Sequence, residues 1–232
     1  MPILKPVKSM LARYIGLVLF SFFLSQPSNS QHFDFQTDFQ VLLNSSRDTS
    51  SDFFYPKLLE RFSYNDSTLG NKELMVLQIG FTQDTNYKPK ITLEKEKEIL
   101  DLIYEKEYEK AVVSCNQILK KNPLSLTAMF EKSYALIKMN NPMAYFHKEK
   151  ALKIINAILL SGEGSIEKPY FIFGLLDGQI LIKFFLENSI ESISNTVNEK
   201  NIPLEIIEYK KGGILEKKYF NIQIPVEKSQ KQ

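Results

Sequence analysis

The 232-residue chain has one cysteine, two histidines and no tryptophan. Because Cys115 has no second cysteine to pair with, an intramolecular disulfide is excluded and packing has to stabilise the fold. His32 and His147 are too few to build a zinc or copper site together with that cysteine. The Gly162–Gly164 stretch lacks the lysine and the serine or threonine of a phosphate-binding loop. We therefore predict no metal ion and no cofactor.

The first 30 residues have the composition of a cleavable secretory signal. Basic residues precede an uncharged apolar run over 14–24, and small side chains at Ser28 and Ser30 suit a signal peptidase. The alternative, a membrane anchor, needs about 20 apolar residues, roughly twice the length of this run. The sequence predicts a signal peptide over 1–30 with cleavage after Ser30. The exported chain would be periplasmic or extracellular, with no stable membrane anchor.

Removal of this signal leaves a chain of nearly balanced charge. Residues 1–30 carry three basic groups and no acidic ones, so the net charge falls from +2 to −1. Lysine and glutamate are interleaved in the rest of the chain, which provides no basic patch for nucleic acid or for anionic lipid. We expect another envelope or periplasmic protein as the partner, and no nucleic acid.

The hydrophobic pattern divides the mature chain into regions. A polar leader over 31–51 keeps no period and is predicted to be mostly unstructured. Helical periodicity covers 52–161, strand-like patterns cover 162–226, and a polar tail over 227–232 is expected to fray. The predicted fold class is α+β: an antiparallel helical, tetratricopeptide-like lobe followed by a small antiparallel β-sheet of two hairpins.

The lobe is predicted to be antiparallel because it contains four helices joined by short connectors, which force neighbouring helices to run in opposite directions. These helices are predicted over 93–104, 108–121, 126–139 and 142–160. Between Tyr108 and Pro123, Ala111 and Cys115 stand where a tetratricopeptide repeat has inward-facing residues in its second helix. The preceding helix has Ile99 where that family expects a small residue. The pattern covers about half of the three repeats that a solenoid needs, which puts a peptide-binding groove in doubt.

The C-terminal region contains two hairpin signals. Asp177-Gly178 suits a type I′ turn between the apolar runs 170–176 and 179–185. A second hairpin is predicted around Gly212-Gly213, with a last strand that extends to Ile224. Between the hairpins, residues 187–202 are expected to form a short helix.

Several segments together resemble a known family. They are Tyr55–Phe62, Leu77–Thr82, Asn86–Pro89, Tyr108–Pro123 and Tyr219–Ile222. In these segments the chain resembles an uncharacterised secreted family of Bacteroidetes-type bacteria, catalogued as domain of unknown function 4919, over roughly 52–225. The resemblance implies an exported bacterial protein of no known activity, and it transfers no functional residue.

No catalytic residue is predicted. Cys115 could act as a nucleophile with His147 as its base, but an inward-facing thiol is expected to have a raised pKa and little thiolate. Asp177 is accounted for by the predicted turn. The alternating glutamates and lysines over 94–98 are expected to form an exposed first helical turn.

Tyr134, Tyr145 and Tyr209 are the candidate binding residues. Core packing explains most of the phenylalanines, including Phe184 and Phe185, whereas these tyrosines are predicted to lie on a recognition surface. The sequence thus predicts a non-catalytic protein-binding or scaffolding module of the bacterial periplasm or envelope. The alternative is a hydrolase that acts on an envelope polymer.

Export has a direct test. Because signal peptidase would cut after Ser30, N-terminal sequencing of the native protein should give a chain that begins at or near Gln31. A cytosolic chain that retains Met1 would contradict the predicted export.

Overall fold

The computed structural model describes residues 33–231. Its α+β architecture confirms the predicted fold class, whereas the predicted signal peptide over 1–30 lies outside the described residues. The main helices are α1 (Phe35–Arg47), α2 (Tyr55–Ser63), α3 (Asn71–Phe81), α4 (Pro89–Tyr104), α5 (Tyr108–Lys121), α6 (Leu126–Lys138) and α7 (Ala144–Leu160). Within residues 33–231, no helix is long and apolar enough to cross a membrane.

The leader predicted to be unstructured contains α1, so that prediction is wrong for most of its length. Asp34 caps the helix by accepting hydrogen bonds from the amides of Gln36 and Thr37, at 2.9 and 3.0 Å. Phe35 and Phe39, one helical turn apart, both pack on the ring of Phe171, with centroid distances of 4.7 and 5.8 Å. The helix is therefore stabilised by tertiary contacts with a distant part of the chain.

The four helices predicted for the lobe, α4 to α7, are confirmed with small differences at their ends, and α2 and α3 lie within the predicted helical region 52–161. The α4 helix begins at Pro89, four residues earlier than expected, because proline is well tolerated in a first turn. A large apolar core joins the helices to the sheet, and a smaller cluster lies between α4, α5 and α6. The smaller cluster consists of Ile99, Cys115, Ile118 and Ala128.

The sheet has four strands in the order β1-β4-β3-β2. They are β1 (Tyr170–Phe171), β2 (Ser189–Val197), β3 (Pro203–Lys211) and β4 (Ile214–Asn221). The β3–β4 pair confirms the second predicted hairpin, since its strands are antiparallel and meet at Gly212-Gly213. However, β1 runs parallel to β4, so the sheet is mixed and is not built from two antiparallel hairpins.

The first predicted hairpin is wrong. After β1 the chain turns into a short helix, α8 (Asp177–Ile180), which continues as a π-helical turn over Leu181–Phe185. The Asp177 carboxylate accepts hydrogen bonds from the amides of Phe173 and Gly174, at 3.3 and 2.7 Å. These hydrogen bonds hold the chain in a turn immediately before α8, and the second strand of the predicted hairpin does not form. An apolar run without a period is consistent with a buried helix as well as with a strand.

The segment expected to be a short helix, 187–202, instead contains β2. A β-bulge between Ile190 and Ser192 places one extra residue in the strand. Ile190, Ile193 and Val197 then lie on one face of the strand, although their spacing of three and four residues is that of a helix. The bulge therefore explains why this strand has a helical pattern.

The C-terminal tail also differs from its prediction. β4 ends at Asn221, and the residues expected to continue it and then fray form α9 (Gln223–Ser229). The Asn221 side chain accepts a hydrogen bond from the amide of Gln223 at 2.9 Å. Buried Pro225 lies in the first turn of this helix, where a missing amide proton costs little.

Three helices, α2, α4 and α6, end in the same left-handed turn. Asn65 follows α2 with φ of 59°, and the next amide, of Asp66, donates to the Arg61 carbonyl at 3.0 Å. Lys106 follows α4 with φ of 63° and Asn140 follows α6 with φ of 54°. In each turn the next amide donates back across six residues, from Glu107 to the Leu102 carbonyl at 2.9 Å and from Asn141 to the Leu136 carbonyl at 2.8 Å. This bonding pattern is the Schellman motif, in which glycine is the usual left-handed residue and asparagine an accepted one.

The Lys106→Gly variant should be more stable than the natural chain by about 0.5 kcal/mol. Removing the β-carbon relieves the left-handed strain, and the gain exceeds what is lost from the lysine charge at the helix end. Asn140→Gly is the matched control and should change stability less, because asparagine tolerates this conformation. Urea unfolding measures both, and equal effects of the two variants would contradict the strain at Lys106.

Candidate functional site

The candidate binding surface is one end of the helical lobe, which we call the tyrosine end. Antiparallel packing brings the α4–α5 turn and the α6–α7 turn to the same end of the lobe. Exposed aromatic and apolar residues are concentrated at these turns. The tyrosine end consists of Tyr104, Tyr108, Tyr134, Ile137, Met139, Met143 and Tyr145.

Tyr134 lies in a small cluster of contacts within the tyrosine end. Its ring meets the ring of Tyr108 edge-on, with centroids 6.2 Å apart, and the Lys138 ammonium lies 5.1 Å from the Tyr134 centroid. The exposed fractions are 40% for Tyr134, 68% for Tyr145 and 88% for Tyr104. These rings present both an apolar surface and a hydroxyl group to solvent, as residues of protein interfaces do.

Tyr209 does not belong to this surface, so the prediction that it is exposed is wrong. It lies on the inward face of β3 together with Ile207, and only 2% of it is exposed. Its hydroxyl donates a hydrogen bond to the Glu216 carboxylate at 2.9 Å. Tyr209 therefore stabilises the β3–β4 hairpin.

Phe184 and Phe185 are more exposed than the sequence predicted, whereas Tyr209 is less exposed. They were expected to be buried beneath the helices, but each is 37% exposed. The Phe184 ring stacks on Phe130 of α6, with centroids 5.8 Å apart. The π-helical turn therefore covers part of α6 from outside.

Cys115 and His147 do not form a nucleophile–base pair. Cys115 is fully buried in the small cluster between α4, α5 and α6, and burial raises the pKa of its thiol to about 12. His147 contacts the Phe146 ring, and burial together with the charges of Lys132 and Lys150 lowers its pKa to about 4. Among the residues that the structure describes, no hydrogen bond joins the two side chains. The thiol stays protonated at neutral pH, which fits a structural role.

The structure also buries carboxyl groups whose burial was not expected from the sequence. Burial is the main cause of a raised pKa in every one of them. The values are about 8 for Glu96 and about 7 for Glu131, Asp177 and Glu205.

Glu96 corrects the expectation that residues 94–98 form an exposed turn. It lies three residues before buried Ile99 and accepts a hydrogen bond from the Ser125 hydroxyl at 2.6 Å. That helical spacing is the signal by which its burial could have been predicted. A proton on the second oxygen of Glu96 would make its burial less costly.

A cavity of about 20 Å³ lies between Glu96 and Asp177. Tyr87 is among its lining residues, and its hydroxyl donates to the Phe173 carbonyl at 2.8 Å. The cavity has the size of roughly one water molecule and is too small for a polymer substrate. Within 33–231, no group of three or more histidine, cysteine, aspartate or glutamate residues is arranged to hold a metal ion.

These features define an α+β protein with an antiparallel helical lobe, a mixed four-stranded sheet and an exposed tyrosine end. The chain belongs to the domain-of-unknown-function family DUF4919, whose model matches residues 42–231. This match confirms the resemblance to domain of unknown function 4919, and it assigns no activity. No curated protein and no solved structure matches the chain.

The Glu96→Gln variant should lose part of the pH dependence of folding stability. Because burial raises the pKa of Glu96 from 4.5 to about 8, the folded state retains a proton that the unfolded chain loses between these values. Glu96 therefore makes the free energy of unfolding fall as pH rises from 4.5 to about 8, by at most about 5 kcal/mol. Glutamine stays neutral and can still accept the Ser125 bond.

Urea unfolding at pH 5 and pH 8.5 measures this effect. The control is Glu98→Gln, which removes an exposed carboxylate from the same helix. A Glu96→Gln profile as steep as that of the control would show that Glu96 is already ionised in the folded protein.

Proposed function

We propose that this protein is a non-catalytic binding module of the bacterial periplasm or envelope that engages another protein through its tyrosine end. The observation that carries the proposal is the cluster of Tyr108, Tyr134 and Lys138, flanked by exposed Tyr104 and Tyr145. Single exposed apolar side chains are common on soluble proteins. Their concentration at one end of a lobe is typical of an interaction surface.

Tyrosine suits this role because of its stiffness. With two side-chain torsions it covers a large area at a low entropic cost, and its hydroxyl can bond to a partner. Tyr134 is further restrained by its contacts with Tyr108 and Lys138. A restrained ring loses less freedom on binding, which favours affinity.

A tetratricopeptide-like character of the lobe supports a role in protein binding. The left-handed residues Lys106 and Asn140 are 34 positions apart, which is the period of tetratricopeptide repeats. Ala111 and Cys115 are buried, as the inward positions of such a repeat require. The first helix of each of the two helix pairs thus ends in the same kind of turn.

The binding surface is better placed at the end of the lobe than on the side that longer repeat arrays use. Part of α6 is covered by the chain itself, since Phe184 stacks on Phe130. Buried Glu131 of α6 also lies within electrostatic reach of Lys183 from the same π-helical turn. A peptide groove along α6 would therefore compete with the chain's own C-terminal region.

The alternative hydrolase has less support. Glu96 and Asp177 have the raised pKa values that an acid–base pair could use. However, the cavity between them measures about 20 Å³, so a polymer could not approach their carboxyl groups without a rearrangement of the core. Deep burial and local hydrogen bonds are enough to explain the two groups.

Site-specific photo-crosslinking tests the binding surface. A photoreactive phenylalanine analogue replaces Tyr134 or Tyr145 in the full chain, which is then expressed in its native cells. Both positions should give a covalent adduct with the same protein, and mass spectrometry would identify it. The control is Val41, an exposed apolar residue of α1, which is not one of the helices that form the tyrosine end.

The decisive comparison is between positions. Adducts at Tyr134 and Tyr145 that are absent at Val41 support the tyrosine end. The same adducts at all three positions, or none at Tyr134 and Tyr145, would contradict it. Once the partner is known, Tyr145→Ala should weaken binding about tenfold in a titration of the purified proteins.

A further inference from the structure

Among residues 33–231, the sheet leaves one long strand unpaired on its outer side. In the order β1-β4-β3-β2 the two edges are β1, with two residues, and β2, with nine. β2 is bonded along one side to β3. Its other side therefore presents backbone amide and carbonyl groups that an added strand could bond.

The composition of β2 offers little protection against such pairing. Soluble proteins usually shield an edge strand with lysine, proline or inward-pointing charge. β2 has Glu191 as its one charged residue, and Glu191 is paired with Lys210 at 3.1 Å. From Ser192 to Asn198 the chain carries no charge and no proline. This stretch lies beyond the bulge and runs regularly against β3.

The inward face of β2 is apolar but incompletely covered. Ile193 and Val197 stand opposite Ile207 and Pro203 of β3, so they extend the buried face of the sheet. Ile207 is fully buried, whereas Ile193 is 44% exposed and Val197 is 56% exposed. The apolar layer of the sheet thus continues to the edge and ends in solvent.

We propose that two copies of this chain associate by antiparallel pairing of their β2 strands about a two-fold axis at Asn195. The sequence of the strand is self-complementary in this register. On the inward face, Ile193 lies opposite the partner's Val197 and Asn195 opposite the partner's Asn195. On the outward face, Ser194 lies opposite the partner's Thr196. Each contact joins side chains of the same chemical type.

A second copy suits this edge because the segment from Ser192 to Asn198, which would pair with itself, carries no charged side chain. The axis at Asn195 also keeps equivalent faces together, so the half-exposed Ile193 and Val197 side chains cover one another across the interface. In this register Glu191, at the bulge, comes opposite the partner's Glu199, in the turn after β2, so two like charges meet at each end of the paired segment. Lys210 offsets the charge of Glu191 within its own chain. The two sheets would join into one of eight strands, twice the four of one copy.

Paired charge variants test both the association and its register. In Ser194→Lys/Thr196→Lys, each new lysine faces a lysine of the partner, so the dimer dissociation constant should rise at least tenfold. In Ser194→Lys/Thr196→Glu, each lysine faces a glutamate, and the constant should stay within about threefold of the natural chain. Sedimentation equilibrium of the mature chain measures all three proteins.

A cysteine at the axis provides a second measurement. Asn195→Cys would face its own copy at roughly 4.5–5.5 Å between Cα atoms, a distance that a disulfide spans. Under mild oxidation it should form a covalent dimer. The control Ser192→Cys is offset from its copy by about 20 Å in this register and should stay monomeric in a denaturing gel. Natural Cys115 is buried and is common to both variants.

Specific outcomes would overturn the proposal. One is a mature chain that remains monomeric up to millimolar concentration. This outcome counts against the proposal even if the β2 edge binds a strand of another protein. Others are a dimer that the double-lysine variant leaves unchanged, or equal cross-linking at residues 192 and 195. None of these depends on the tyrosine end, so the two proposals can fail separately.

Discussion

The Asp177 carboxyl group holds together the region on which the rest of the fold depends. By accepting the amides of Phe173 and Gly174, it turns the chain from β1 into α8 inside the protein. The Tyr87 hydroxyl fixes the same loop from the helical side through the Phe173 carbonyl. This loop in turn positions Phe171, on which the aromatic rings of α1 pack. Helical lobe, sheet and N-terminal helix therefore meet at a few polar contacts within an apolar core.

This junction buries carboxyl groups and raises their pKa values, which bears on whether the protein could be an enzyme. Asp177 raises the pKa of Glu96 and Glu205 through its charge, in addition to the larger effect of burial. Carboxyl groups that share a buried region avoid repulsion by retaining protons, and strongly shifted pKa values are frequent in catalytic sites. Here Glu96 and Asp177 line a cavity that is too small for a substrate, whereas the exposed aromatic surface lies elsewhere on the lobe. The buried carboxyl groups therefore take no part in the proposed binding surface, which consists of exposed side chains at the tyrosine end.

The sequence predicted those elements whose hydrophobic period was unambiguous. The helices from α2 to α7 and the β3–β4 hairpin repeat their apolar residues at one spacing, and short connectors or Gly212-Gly213 separate them. The α1 helix was missed although Phe35 and Phe39 have helical spacing, because its partner, Phe171, is distant in sequence. Tyr209 was misplaced because both faces of β3 mix glutamate with apolar residues, so alternation alone does not reveal the inward face. The burial of Glu131, Asp177 and Glu205 depends on tertiary packing, which no local pattern specifies. Glu96 differs, because its helical spacing from Ile99 places it on a buried face.

The two proposed surfaces together would let a weak contact at each tyrosine end give a strong overall binding to a multivalent partner. The tyrosine end is small, and Tyr134 already uses part of its ring area against Tyr108 and Lys138. A pair of chains joined through β2 would carry two such ends on one rigid sheet. Binding of the first end would hold the second close to a multivalent partner, which raises its effective concentration without any new contact. A scaffolding role therefore requires less affinity from each tyrosine end in the dimer than it would in a single chain.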